Sequence, residues 1–215
     1  APGSLVGQPL TALQPEALTQ LEALVAKYSP EDAVQQATWL FDDWMPDVPG
    51  KAADAEDPTA AIEAARKVAV EAGLASKGAP GLIELAQKVK LPQHVAFTVC
   101  SISLSKEALF ELFALALSAG TGLDAVTGVV LAEGQSRFGE DWELEVREAL
   151  LARRAEPERV ARLLMTLNET MPTWEFVSSF GADINDAYWR RKHSYYVQGD
   201  AKDLLFAIEN YAARG

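Results

Sequence analysis

The chain has 215 residues, of which 49% are apolar and 23% are charged, so its composition predicts a folded protein and excludes disorder of the whole chain. The formal net charge of -12 argues against non-specific binding of the whole chain to nucleic acid or to an anionic membrane. No run of residues approaches the roughly 18 apolar residues of a membrane-spanning helix, and we expect no membrane partner. The single cysteine, Cys100, excludes an internal disulfide and fits a reducing compartment, so we predict a cytoplasmic protein.

Helix-start signals recur along the chain and are separated by glycines that predict helix ends. Thr11 and Thr121 begin capping boxes, while Ser29 and Asp57 are cap residues followed by proline at the first helical position. These signals predict an all-α fold of about twelve short helices in antiparallel hairpins. The predicted helices cover residues 11–27, 30–44, 58–72, 80–90, 93–103, 105–118, 122–137, 140–154, 157–168, 172–180, 183–197 and 200–213.

Two segments interrupt this pattern. Residues 47–57 are rich in Pro, Gly, Ala and acids, so we predict a loop or linker between an N-terminal helical hairpin, 1–46, and a helical array, 58–215. Residues 94–104 alternate like a strand, yet Val95, Val99 and Ile102 also fit one face of a helix. We predict a helix there, because a lone strand would leave its backbone groups unpaired.

The C-terminal part of the array has a loose repeat, since the helix starts at Pro157 and Asp200 lie 43 residues apart. Residues 80–215 resemble a degenerate α-solenoid repeat of the tetratricopeptide or HEAT kind. Trp174 matches the tetratricopeptide tryptophan, although Val177 and Ser178 stand where that pattern has Leu-Gly. The resemblance implies a protein-binding scaffold with an α-solenoid-like or irregular helical array. The last residues, ENYAARG, still have a helical pattern, so we expect the array to continue beyond this sequence.

No nucleophile elbow, phosphate-binding loop or dinucleotide-binding motif occurs in the sequence. We therefore predict a non-enzymatic interaction or scaffold module of a larger protein, with a protein partner and no cofactor. Uncovered apolar ends of the array would also promote self-association, because terminal repeats normally carry a polar cap.

The alternative partner is a nucleic acid or another polyanion. Residues 151–215 carry 9 bases and 9 acids, so this third of the chain is locally neutral. Arg153, Arg154, Arg159 and Arg162 are predicted to form a basic edge near a turn between helices. The same edge would also suit an acidic protein partner.

An enzymatic alternative rests on the sequence FDDWMPD, residues 41–47. Asp42, Asp43 and Asp47 resemble the aspartate-rich motif of all-α isoprenoid synthases, which implies magnesium ions that hold a substrate diphosphate. The third acid falls one residue later than in that family, and Pro46 interrupts the helix that the motif requires. Two histidines and one cysteine do not supply four ligands for a structural zinc site. His94 is predicted to bond locally at a helix start, and Cys100 to be a buried, unreactive thiol.

Residues 183–197 combine aromatic and basic side chains. On a helical projection Tyr188, Trp189, Tyr195 and Tyr196 share one face, whereas the basic residues 190–193 scatter around the helix. We therefore predict a packing helix. Lys192 projects from the aromatic face and is predicted either to extend between the rings towards solvent or to stack on one ring, which makes Lys192 and Trp189 candidate binding residues.

Overall fold

A computed structural model describes residues 15–28, 32–48, 57–192 and 200–214. These residues form eleven α-helices and no β-strand, so the prediction of an all-α fold is confirmed for the described part of the chain. The helices are α1 Pro15–Tyr28, α2 Ala33–Ala37, α3 Pro58–Lys88, α4 Pro92–Cys100, α5 Lys106–Ser118, α6 Asp124–Phe138, α7 Glu140–Ala152, α8 Pro157–Leu164, α9 Met171–Ser178, α10 Ala182–Arg191 and α11 Ala201–Arg214. Short 3-10 turns cover Thr38–Phe41 and Thr121–Leu123.

The second predicted helix, 30–44, is shorter in the structure. Asp32 caps α2 by accepting a hydrogen bond from the Val34 amide, and regular helix ends after the 3-10 turn at Phe41. The backbone on either side of Phe41 forms other hydrogen bonds. Arg66 on α3 donates to the carbonyl oxygens of Leu40 and Asp43, and the Asp43 carboxylate accepts a hydrogen bond from the Met45 amide. Residues 32–48 join the same hydrophobic core as α3, while most of the predicted linker lies outside the described residues.

Helix α3 contains the break that the sequence predicts between the helices 58–72 and 80–90, and the break lies at Gly78. Gly78 has φ 64° and ψ -156°, a conformation that glycine adopts readily, and Pro80 starts the next segment. Gly73 remains helical, and Gly81 of the following segment lies close to it. A Cβ atom on Gly81 would lie 3.0 Å from the Gly73 carbonyl oxygen. The glycines therefore build a tight hairpin inside α3.

Residues 94–104 contain the end of helix α4 and no strand, as predicted. Val95 and Val99 are one turn apart and both are buried, so helical spacing explains the apolar pattern of this segment.

Helix α10 ends at Arg191, six residues before its predicted end at 197. Lys192 has extended backbone and its amide still bonds the Tyr188 carbonyl oxygen. His193, Tyr195 and Tyr196 lie outside the described residues, and so does their predicted place on the aromatic face.

The main packing contacts join helices that are adjacent in sequence or next but one. They run from α2 and α3 through α4, α5 and α6 to α8, α10 and α11. One hydrophobic core extends through all of these layers, from Val34 to Ala207. Within the described ranges, no helix is both long and apolar enough to cross a bilayer.

Candidate functional site

A wide apolar groove lies between α3 and the segment formed by α2 and the first 3-10 turn. Its volume is about 470 Å³, and six of its ten lining residues are alanines. The larger apolar residues that line it are Trp39, Leu40 and Val68. Val68 is 66% exposed and Trp39 is 42% exposed, so the groove is open to solvent. We call this feature the alanine groove.

A second apolar surface that the described residues leave exposed lies on α11, the last helix that the structure describes. Phe206, Ala207 and Tyr211 face inward and belong to the core or pack against it. Leu204, Leu205 and Ile208 face outward, and Leu205 is 57% exposed. We call these three residues the aliphatic ridge. Helix α11 thus carries two apolar faces, and the residues that the structure describes cover only one of them.

Both surfaces are close to electrically neutral. Helix α11 carries two acids and two bases, and α3 carries two acids and three bases before its break at Gly78. The chain as a whole has a net charge of -12, so most of the like-charge repulsion between copies originates elsewhere. Large uncovered apolar surfaces without strong charge are typical of protein interaction sites.

The arginines of the predicted basic edge join helices together. Arg153 hydrogen-bonds Ser118 Oγ at 3.1 Å and so connects the end of α7 to α5. Arg159 pairs with Asp124 at 2.8 Å and donates to the Leu117 carbonyl oxygen, and Arg162 approaches the same carboxylate at 3.5 Å.

Arg154, in contrast, is exposed on a turn with φ 48°. Three of the four predicted arginines therefore have structural partners, and two of them, Arg159 and Arg162, share the carboxylate of Asp124.

Trp189 and Lys192, the two predicted binding residues of this segment, are buried against neighbouring helices. The Trp189 ring lies 5.7 Å from Trp174 of α9 and 6.1 Å from Phe206 of α11, measured between ring centroids. Lys192 Nζ lies 5.5 Å from the centroid of the Tyr188 ring, so the cation–π contact is the one of the two predicted arrangements that the structure contains. It also pairs with Glu169 at 3.0 Å. These contacts hold α9, α10 and α11 together.

Asp42, Asp43 and Asp47 do not form a metal centre with neighbouring ligands. Asp42 accepts a hydrogen bond from the Lys90 amide, and Asp43 accepts one from the Met45 amide. Among the residues that the structure describes, no group of three or more His, Cys, Asp or Glu side chains is placed to hold a metal ion.

Next to these aspartates lies a cavity of about 370 Å³, bounded by Trp44, Phe97 and the buried pair Arg66 and His94. Arg66 donates to the carbonyl oxygens of Leu40 and Asp43 at 2.9 and 2.7 Å.

Arg66 Nη1 lies 3.3 Å from His94 Nδ1. Since arginine only donates, Nδ1 accepts and the proton of His94 is on Nε2. Burial and the charge of Arg66 lower the pKa of His94, which keeps the imidazole neutral at pH 7.

No sequence motif contains Arg66, although its spacing from apolar residues indicates that it is buried. Ile62, Arg66 and Val70 recur every four residues and are all buried, so Arg66 occupies an apolar position of α3. The half-buried Cys100 fits its predicted inertness, because burial raises the pKa of its thiol to about 12.

Comparison of the chain with protein-family models, curated proteins and solved structures finds no match.

Proposed function

We propose that the chain is a non-enzymatic helical interaction module that binds an α-helix of a protein partner in the alanine groove. The observation that carries this proposal is the open groove of about 470 Å³ with Trp39 and Val68 exposed on its walls. An amphipathic helix that inserts its apolar face is a common occupant of such a groove.

The composition of the groove favours a helix as its occupant. Ala65, Val68, Ala69 and Ala72 follow helical spacing along one face of α3. Small side chains let a partner backbone approach closely, while Trp39 offers a large apolar contact at the edge. The stepwise contacts between successive helices also support an α-solenoid-like scaffold for this groove.

A selection of peptides from a displayed random library tests the proposal. Wild-type protein is the bait, and a Val68→Glu variant is used to remove peptides that bind elsewhere. We expect the selected peptides to carry apolar residues at i, i+3 or i+4, and i+7, and to become helical on binding.

The matched control is Leu144→Glu, which adds the same charge at an exposed apolar residue of α7 outside the groove. It should bind the selected peptides as the wild type does, and circular dichroism should show that both variants keep their helix content. Peptides that bind wild type and Val68→Glu equally well would contradict the proposal.

A further inference from the structure

We infer that the cavity beside Arg66 and His94 binds a small, neutral, planar apolar molecule through a carbonyl oxygen of that molecule. The cavity has a volume of about 370 Å³ and shares no lining residue with the alanine groove, so it is a separate site. Small-molecule sites usually have volumes of roughly 300–1,000 Å³, with mainly apolar walls and a few polar groups that orient the ligand. We call this feature the His94 cavity.

The wall of the His94 cavity is largely aromatic. Trp44 and Phe97 lie against the imidazole of His94, with ring centroids 4.5 and 6.0 Å away and ring planes turned by 90° and 77°. Met45 and Ile62 add aliphatic surface. Trp44, Met45 and Phe97 are each more than half exposed, so three large apolar side chains face solvent at one site. A planar apolar ligand would cover this surface.

The polar group that would orient the ligand is Nε2 of His94. Arg66 donates to Nδ1, so the proton of the imidazole is on Nε2. Nε2 is buried and has no hydrogen-bond partner among the described residues. Because a buried donor without an acceptor is unfavourable, a ligand with an acceptor oxygen gains a hydrogen bond for which no described group competes.

The charges around the cavity favour a neutral acceptor. The buried Arg66 guanidinium donates to carbonyl oxygens and, within the described ranges, to no carboxylate, so its positive charge opposes a cationic ligand. Glu63 lines the cavity and Asp43 lies near Arg66, and these exposed carboxylates oppose an anionic ligand. A carbonyl oxygen accepts from Nε2 without carrying either charge.

The Trp44 side chain gives the ligand access to His94. Arg66 Nη2 holds the Trp44 carbonyl oxygen at 3.3 Å, which fixes the backbone of this segment. The Trp44 residue is 64% exposed, so the indole turns towards solvent with little loss of packing. The ligand then takes the place of the indole against the imidazole.

NMR on protein labelled with ¹⁵N in its two histidines tests the inference, and a His193→Gln variant identifies the signals of His94. Acetophenone is the neutral carbonyl probe, while benzoate and benzylamine are the charged probes of similar size. We expect acetophenone to bind and to shift the Nε2 resonance of His94. Benzoate and benzylamine should each bind at least about tenfold more weakly.

Variants locate the bound probe. His94→Phe keeps a ring but removes the donor, and should weaken acetophenone binding about tenfold. Phe97→Ala removes an exposed wall residue and should weaken binding about fivefold. Val68→Glu, in the alanine groove, should bind acetophenone as the wild type does. Circular dichroism checks that each variant is folded, and if His94→Phe is not, Phe97→Ala and the Nε2 shift of the wild type decide the test.

Four results would overturn the inference: no binding of acetophenone, equal binding of the three probes, loss of binding in Val68→Glu, or an Nε2 resonance that stays unchanged when acetophenone saturates the protein. The last result would mean that the probe does not bond Nε2. The proposed helix site is tested separately by the peptide selection, so either proposal can fail while the other stands.

Discussion

The buried pair of Lys192 and Glu169 provides the most direct test of how the C-terminal helices are held together. Their charged atoms lie 3.0 Å apart, and the exposed fractions of the two side chains are 8% and 22%. In Lys192→Met the Glu169 carboxylate loses its cation, while its Oε2 atom has no hydrogen-bond partner among the described residues.

The expected cost follows from this burial. Removing one partner of a fully buried pair costs about 3–5 kcal/mol, because the other charge is left uncompensated. Since Glu169 is partly exposed, water solvates some of its charge and we expect about 2–3 kcal/mol for Lys192→Met. In the double variant Lys192→Met with Glu169→Gln, the unpaired charge is gone. We expect the double variant to recover about 1–2 kcal/mol relative to Lys192→Met.

Urea unfolding of wild type, both single variants and the double variant measures these free energies and the coupling between the residues. Lys67→Met is the matched control, because Lys67 and Glu71 form an exposed pair 4.0 Å apart. Its effect on the free energy of unfolding should be far smaller. If the effects of Lys192→Met and Glu169→Gln simply add, or if Lys192→Met is as mild as the control, the buried pair does not stabilise the fold as argued.

Two further predictions concern buried groups elsewhere in the fold. Gly134→Ala places a Cβ atom against the ring of the fully buried Trp142 and should cost about 1–3 kcal/mol in urea unfolding. Gly122→Ala, whose Cβ would meet nothing within 4 Å, is its control, and an equal effect of the two would contradict this steric reason. Because burial raises the pKa of the Cys100 thiol to about 12, iodoacetamide at pH 8 should alkylate the folded protein much more slowly than the urea-unfolded protein. Equal rates would show that the thiol is accessible and ionises normally.

Helix type and most helix positions were predictable because they depend on local signals. Asp57 accepts from the Thr59 and Ala60 amides and Pro58 follows it, as the sequence predicts for a helix start. Helix ends were harder to predict where tertiary contacts decide them. The helix before Asp42 ends where Arg66 donates a hydrogen bond to the Leu40 carbonyl oxygen. Because Arg66 lies 26 residues beyond Leu40, no local sequence pattern contains this contact.

The roles of charged residues were least predictable. The same run of basic residues can form a solvent-exposed binding surface or can pair with acids and carbonyl oxygens of neighbouring helices. Arg159 lies close to Arg153 and Arg154 in sequence, yet its partner Asp124 is 35 residues away. Lys192 shows the opposite case. Its contact with the Tyr188 ring is local and was predicted, whereas its pairing with Glu169 depends on how α9 and α10 pack.

Helix α11 shows why a surface for a partner is difficult to recognise from apolar spacing alone. Leu204, Leu205, Ile208 and Tyr211 all recur at helical intervals, so their spacing indicates a helix but does not distinguish residues that pack inward from residues that face solvent. In the fold, Tyr211 packs inward near Trp189, while the three aliphatic residues face solvent.

A terminal helix with a polar outer face would end the array, because no further helix could gain by covering it. The aliphatic ridge makes the outer face of α11 apolar instead of polar. The alanine groove between α3 and the segment of α2 and the first 3-10 turn is a second exposed apolar surface. Burial of both surfaces removes apolar area from water only if another helix covers each of them. The alanine groove and the aliphatic ridge are therefore two surfaces of the described fold where a packed helix would remove apolar area from water.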